Sequence, residues 1–143
     1  MIFLNEDGII LRSIDSVDIP ILQSISLGHI HPEIQFYIYS TIVAEYDGKI
    51  VGFTQFCLTP DGILHSLGMA LAPEARGHGI GTKLMEMKEK LACEANAKHH
   101  CYAIDKESDG ALRKILLHLG MHLCLEYPNI EVYAKGLTNA STR

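Results

Sequence analysis

The stretch ILHSLGMALAPEARGHGIGTKLMEMKEKLACEA, residues 63–95, decides how the rest of the chain is read. It opens as a β-rich apolar run, breaks at Pro73, passes through Arg76-Gly77-His78-Gly79-Ile80-Gly81-Thr82, and resumes with helical periodicity. Ile80, Leu84, Met87, Leu91 and Ala95 recur at steps of four, three, four and four, which predicts one apolar stripe on an amphipathic helix. The order is therefore strand, glycine loop and helix N-terminus, and the helix begins inside the glycine motif.

Such a start has a chemistry of its own. The N–H groups of a first helical turn have no acceptor within the helix, and the dipole adds about half a positive charge there. Glycines at the alternate positions 77, 79 and 81 remove every second side chain, so the backbone can approach an anion closely and take left-handed dihedrals. The pattern predicts a phosphate held on main chain, with a purely structural turn as the competing reading. Two nucleotide motifs fail on spacing. A P-loop needs Gly-Lys-Ser/Thr, whereas Lys83 follows Thr82, and a dinucleotide fingerprint needs its third glycine at position 82.

What remains, Arg76-x-x-Gly79-x-Gly81 behind a strand ending near Leu71, resembles the acetyl-CoA signature of the GNAT N-acetyltransferase superfamily. The composition agrees with an ordinary globular protein. At 143 residues and 15.8 kDa the chain reads as one domain, 1–143, long enough to bury roughly two thirds of its unfolded surface. Apolar residues make up 48% and charged ones 20%. No apolar run reaches the length of about 20 residues that spans a bilayer, and the start MIFLNEDG lacks a basic region and a long apolar segment, so a cytoplasmic protein without a membrane partner is expected. The net charge of −5, with no basic stripe, excludes a nucleic-acid footprint and suits a cationic amine. Cys57, Cys93, Cys101 and Cys124 form no C-x-x-C pair and read as reduced, mostly buried residues.

Outward from the glycine loop, Gly8 to Ile14 reads as a first strand. A helix follows, with Asp15 to Asp18 at its start, Pro20 in its first turn and Gly28 as its stop. His29 to Tyr39 is ambiguous between a short helix and an extended segment; Phe36, Tyr37 and Tyr39 suit either a pocket wall or plain packing. Thr41 to Tyr46 and Ile50 to Leu58 alternate around Asp47-Gly48 as a tight hairpin, and the strand Ile63 to Leu71 follows. Beyond the long helix, His99 to Ile104 reads as a strand parallel to Ile63–Leu71. Asp109 to Leu119 carries Leu112, Ile115, Leu116 and Leu119 on one face and stops at Gly120. Met121 to Leu125 and Ile130 to Ala134 then close as a hairpin, and the tail from Leu137 is polar.

This order resembles the GNAT fold over the whole chain, and Gly120-Met121 looks like the Gly-Phe that closes the family's last helix. The resemblance implies an α+β fold of three layers, with a central mixed sheet of about six to seven strands flanked by helices. It implies that the strand before the loop splays from the strand after it, and that the pantetheine arm of acetyl-CoA pairs with main chain near Met69, Ala70 and Leu71. Gly77, His78, Gly79, Ile80, Gly81 and Thr82 would hold the pyrophosphate, with Arg76 either touching phosphate or bracing the loop.

The implied reaction is direct acetyl transfer to a primary amine, which with a reference pKa of about 10.4 must first lose a proton. Counting back from Arg76, His65 falls about where many family members place a glutamate base. Histidine can accept a proton near pH 7, although a hydrogen-bonded sheet residue is the competing reading, and Glu45 or Glu126 acting through water are alternatives. The family's proton-donating tyrosine corresponds to Leu116, which can donate nothing, so Tyr127, Cys124, departure of coenzyme A as thiolate, or lost catalysis stand in its place. Asp109 falls near the family's cofactor-contacting asparagine and also reads as a helix cap. No metal is expected: His29-x-His31, His99-His100 and His118 with His122 are joined by no cysteine or carboxylate at zinc spacing, and the Met85 and Met87 pair reads as core and helix surface. The acceptor amine stays open, as does a homodimer through strand edges. The rival function is a non-catalytic acyl-CoA-binding or regulatory domain of the same fold.

Overall fold

Two Asp-Gly dipeptides set the register of the first four strands. In the computed structural model, which describes residues 1–26, 32–108 and 110–138, β1 (Ile2–Glu6) turns into β2 (Ile9–Ser13) through Asp7 at φ 54° and Gly8 at φ 78°. β3 (Ser40–Tyr46) turns into β4 (Lys49–Leu58) through Asp47 at φ 51° and Gly48 at φ 81°. Paired positive φ values are what a two-residue hairpin needs to match the right-handed twist of its strands. The expected first strand, Gly8 to Ile14, is therefore corrected: Gly8 is the turn, and Ile2–Glu6 is an additional strand antiparallel to β2. With it the mixed sheet has eight strands, in the order β1-β2-β3-β4-β5-β6-β8-β7. Here β5 is Ile63–Leu71, β6 His99–Asp105, β7 His122–Glu126 and β8 Ile130–Gly136.

The chain divides into two compact units, Met1–Phe56 with Gly68–Met87 and Cys57–Leu67 with Lys88–Arg143. In the first, β2 pairs antiparallel with β3 and β3 with β4. Asp15 caps a 3-10 turn, Ser16–Asp18, in a reciprocal capping box with Asp18, and α1 (Ile19–Ile25) follows with Pro20 in its first turn. The expected stop at Gly28 and the pair His29 and His31 lie outside the described residues. The ambiguous segment contains α2 (Gln35–Ile38). Phe36 points into a core with Ile19, Leu22, Val43 and Phe53, its ring centroid 5.6 Å from that of Phe53, while Tyr37 is exposed. Arg12 joins this unit by charge, donating to both Asp18 oxygens at 2.8 and 3.1 Å and from Nε to Glu45 at 2.5 Å.

In the second unit β5 pairs parallel with β6 over Ile63–Ser66 and His99–Tyr102, β6 pairs antiparallel with β8, and β7 forms the end strand on β8. α3 spans Ile80–Glu94. Ile80, Leu84 and Met87 of the expected stripe are buried, but so are Met85, Lys88, Ala92 and Cys93, whereas Ala95 is exposed. Ala95 lies past the helix end, where Asn96 at φ 66° closes a Schellman motif: its N–H donates to Cys93 O and that of Ala97 to Ala92 O. α4 (Gly110–His118) ends the same way at Gly120, φ 86°, with Gly120 N on Leu117 O and Met121 N on Leu116 O, both at 3.0 Å. Leu116 is fully buried. Asp109 and residues 139–143 lie outside the described residues.

Cys93 alone of the four free cysteines is fully buried; Cys57 and Cys101 are half-buried and Cys124 is exposed, which corrects the expectation of mostly buried thiols. No helix among the described residues is long and apolar enough to cross a membrane.

Candidate functional site

The end of β5 is shaped by two glycines the sequence reading did not single out. Gly68, inside the strand, sits at φ 147°, and Thr54 Oγ1 donates to its carbonyl at 3.0 Å. Gly52 of β4 has no room for a side chain: a Cβ there would lie 2.5 Å from Leu71 Cδ2 and 2.8 Å from Ala70 O. Together with Ala72 N donating to Val51 O at 2.7 Å, this brings β4 against Met69, Ala70 and Leu71, all half-buried. A lone glycine within a strand pattern is the signal that announces such a place. These three residues lie C-terminal to Ile63–Ser66, the segment of β5 that pairs with β6.

After Leu71 the chain makes a 3-10 turn, Pro73–Ala75, and reaches the glycine loop. Gly77 at φ 82° and Gly79 at φ 73° take left-handed conformations, and a Cβ at either would meet nothing within 4 Å. Glycine is required there by dihedral, not by crowding, and the space before the backbone is open. Lys83 N donates to Gly79 O at 3.1 Å, so Gly79 caps α3 and the amides of Ile80, Gly81 and Thr82 have no acceptor inside the helix. Arg76, Gly77, His78 and Gly79 are exposed, Ile80 and Gly81 buried, and Thr82 half-buried. The His78 ring packs on Tyr46 with centroids 4.5 Å apart, which braces the loop against β3. Lys83, one turn into the helix, pairs with Glu6 at 2.9 Å, and that carboxylate raises its pKa.

His65 belongs to the other unit. Its Nε2 lies 3.5 Å from Thr59 Oγ1, which also contacts Asp61 and Ile63 O, so the ring is a half-buried sheet side chain beside the turn after β4. Of the alternative bases, Glu45 is occupied by Arg12, and Glu126 pairs with Lys106 at 3.0 Å. Tyr127 is exposed, and Cys124 Sγ lies 3.4 Å from Val132 O.

A buried polar chain in the same unit went unread in the sequence. Ser66 Oγ is 2.6 Å from His100 Nε2, His100 Nδ1 is 2.6 Å from Glu89 Oε2, and Lys135 Nζ bridges Glu89 Oε1 at 2.7 Å and Leu119 O at 2.6 Å. Burial pushes His100 below its usual pKa, so a neutral ring donates Nδ1–H to Glu89 and accepts the Ser66 hydroxyl at Nε2. Burial alone would raise Glu89, but hydrogen bonds from His100 and Lys135 outweigh it and hold the carboxyl low. Next to this chain Lys88 Nζ lies 5.2 Å from the Tyr102 ring centroid, and burial brings its pKa down to about 7. Among the described residues no three His, Cys, Asp or Glu side chains gather as a metal site.

The chain that carries this loop is matched by a known family. The family model described as the acetyltransferase (GNAT) domain matches residues 36–127, more than half of the chain. A search of curated proteins finds no match. Among solved structures, Ard1 from Thermoplasma volcanium is similar at 18% identity and a TM-score of 0.79, covering 92% of this chain and 99% of that one. The ribosomal-protein-S18-alanine N-acetyltransferase from Escherichia coli is similar at 15% identity and 0.77, covering 91% and 94%. A GNAT superfamily phosphinothricin acetyltransferase from Sinorhizobium meliloti, in complex with acetyl-CoA, is similar at 16% identity and 0.75, covering 91% and 89%. At these identities the structures speak for the fold, and the family model for membership: the chain belongs to the GNAT acetyltransferase family.

Proposed function

We propose that this protein transfers the acetyl group of acetyl-CoA to a primary amine by direct attack in a ternary complex. The observation that carries the reading is the start of α3, where Gly79 caps the helix in a left-handed conformation with open space before it. Amides without an acceptor inside the helix suit a diphosphate, with the exposed Arg76 as a cation on the same loop. Arg76, Gly77, His78, Gly79, Ile80, Gly81 and Thr82 hold the pyrophosphate end in this reading, and the main chain of Met69, Ala70 and Leu71 receives the pantetheine arm. Acetyl-CoA supplies the activated acyl group.

The protein's own task is to free the amine of a proton. His65 is the group we assign as acceptor; among the described residues its ring nitrogen has a neutral hydroxyl, Thr59 Oγ1, at 3.5 Å. The net charge of −5 favours approach of a cationic amine. Leu116 supports a second reading, a domain that binds acyl-CoA without turnover, because the position of the family's tyrosine is here a fully buried leucine.

Calorimetric titration with acetyl-CoA and with desulfo-CoA tests the site, beside Gly79→Asp and Gly79→Asn. The two variants strain the backbone alike, but only aspartate sets a negative charge against the pyrophosphate. Binding weakened about 100-fold by Asp and far less by Asn is expected. Equal affinities for all three proteins would remove the loop from the site. Release of coenzyme A in the presence of an amine panel then separates the two functions: an enzyme loses rate in His65→Ala while keeping affinity, and a binding domain shows no rate to lose.

A further inference from the structure

Three side chains of the polar chain in the second unit stand in an order that cohesion alone does not require. Ser66 Oγ, on β5, is 2.6 Å from His100 Nε2 on β6, and His100 Nδ1 is 2.6 Å from Glu89 Oε2 on α3. All three belong to the same unit. A hydroxyl on one ring nitrogen and a carboxylate on the other are the parts that activate a serine. Such a set is recognised by geometry and not by chain order.

The protonation of the chain fits that use. Burial keeps His100 neutral, and with Nδ1–H donated to Glu89 the lone pair of Nε2 points at the Ser66 hydroxyl. Lys135 holds the other oxygen of Glu89 at 2.7 Å, so the carboxylate stays ionised opposite a ring that gains a proton. Other hydroxyls of this protein are satisfied more simply. Ser24, Ser26 and Thr54 donate to the main-chain carbonyls of Ile21, Leu22 and Gly68. A serine that serves packing has that solution at hand, whereas Ser66 faces a base whose burial beside a carboxylate costs desolvation.

The serine also has the better access of the pair. His100 is shut away from solvent, whereas Ser66 is 7% exposed. Ser66 is moreover the last residue of the ladder between β5 and β6, which runs from Ile63 and His99 to Ser66 and Tyr102. The residue that follows it, Leu67, is 38% exposed. The hydroxyl therefore stands where the paired part of the strand ends, with its base behind it.

From this arrangement we infer that Ser66 is a nucleophile that takes the acyl group of a small activated ester or thioester, with His100 as its base. Ser66 Oγ bonds to the acyl carbon as its proton passes to His100 Nε2. The bond from that carbon to the leaving oxygen or sulfur breaks, the leaving group departs with the electron pair, and His100 returns the proton to it. Water then attacks the serine ester, giving its proton to the same nitrogen, and the freed acid leaves Ser66 restored. The inference stands apart from the acetyltransferase reading, since neither an amine nor the phosphate loop takes part.

The test is release of p-nitrophenolate from p-nitrophenyl acetate, beside Ser66→Ala and His100→Gln, together with mapping of diisopropyl fluorophosphate on the wild type. The fluorophosphate reacts in the same way, a phosphorus–oxygen bond forming as fluoride leaves, and its serine ester is not turned over. One label per chain on Ser66 is expected, with release lost in Ser66→Ala and lowered about 100-fold or more in His100→Gln. Circular dichroism identifies a variant that fails to fold, and the wild-type label decides the matter without it. No label, a label on Lys88 or any residue other than Ser66, or release that survives Ser66→Ala would each overturn it.

Discussion

The two ends of α3 handle polarity in opposite ways. At its start the helix offers main chain: nothing lies within 4 Å of where a Cβ of Gly79, φ 73°, would stand, and the first amides have no acceptor inside the helix. Its later turns offer side chains instead: Lys88, His100, Ser66 and Tyr102 are buried, and the half-buried Glu89 and Lys135 pair beside them. Amides without a helical acceptor can be satisfied by water, whereas buried ions must be satisfied by one another, because an unpaired charge in a poor dielectric is far more costly than an unpaired amide. One helix thus carries open main chain at one end and mutually paired side chains at the other.

The largest effect is expected from cutting the internal end. Glu89→Ala strands Lys135 and removes the acceptor of His100, and unfolding free energy should fall by about 3–5 kcal/mol. A urea midpoint that moves by the equivalent of less than about 1 kcal/mol would show that this chain is not what binds the later turns of α3.

Lys88→Met should flatten the dependence of stability on pH above neutrality, since it removes the group whose proton folding displaces and keeps the volume. The sign follows from linkage. Burial takes Lys88 from 10.5 to about 7 in the folded state, so between those values the unfolded chain holds a proton that the folded chain lacks, and stability rises with pH. The slope for one such group is about 1.36 kcal/mol per pH unit. His100, depressed from 6.5, continues the same trend on the acid side: as pH falls below 6.5 the unfolded ring gains a proton first and stability drops. Melting temperatures at pH 7.5 and 9.5 check the first claim; the wild type should gain over this interval and the methionine variant should not.

At the open end the effects are smaller. Gly79→Ala should lower stability by about 1–2 kcal/mol through its left-handed φ alone, as nothing lies where the methyl would go. An unchanged denaturant slope would accompany it. The least effect belongs to Lys83→Ala. Its pair with Glu6 leaves the two side chains 29% and 50% exposed, and loss of about 0.5 kcal/mol or less, vanishing in high salt, is expected from thermal melts at two ionic strengths.

Much of this fold was legible in residue order because it depends on short-range chemistry. Asp47-Gly48 announced its hairpin, Pro73 ended its strand, and Gly120 closed α4. The same Asp-Gly signal at residues 7 and 8 was there to be read, and taking Gly8 as a strand residue hid β1. The position of the glycine loop was equally plain, since two of its glycines take the dihedrals that only glycine adopts freely. Gly68 and Gly52 were weaker signals, because an isolated glycine in a strand does not say which neighbour approaches it.

The buried chain was not legible at all. Met87-Lys88-Glu89-Lys90 reads as one core residue followed by a solvent face, and Ser66 is separated from His100 by 34 positions. Periodicity reports one face of a helix, while burial of Lys88 depends on how wide an arc its surroundings cover. Residue order decided the hairpins, the caps and the helix start, since each is closed by hydrogen bonds within a few residues. Packing between distant segments decided which lysine of α3 lost its water, which carboxylate met a histidine, and which strand was left at the end of the sheet, because those outcomes depend on neighbours that only the folded chain brings near.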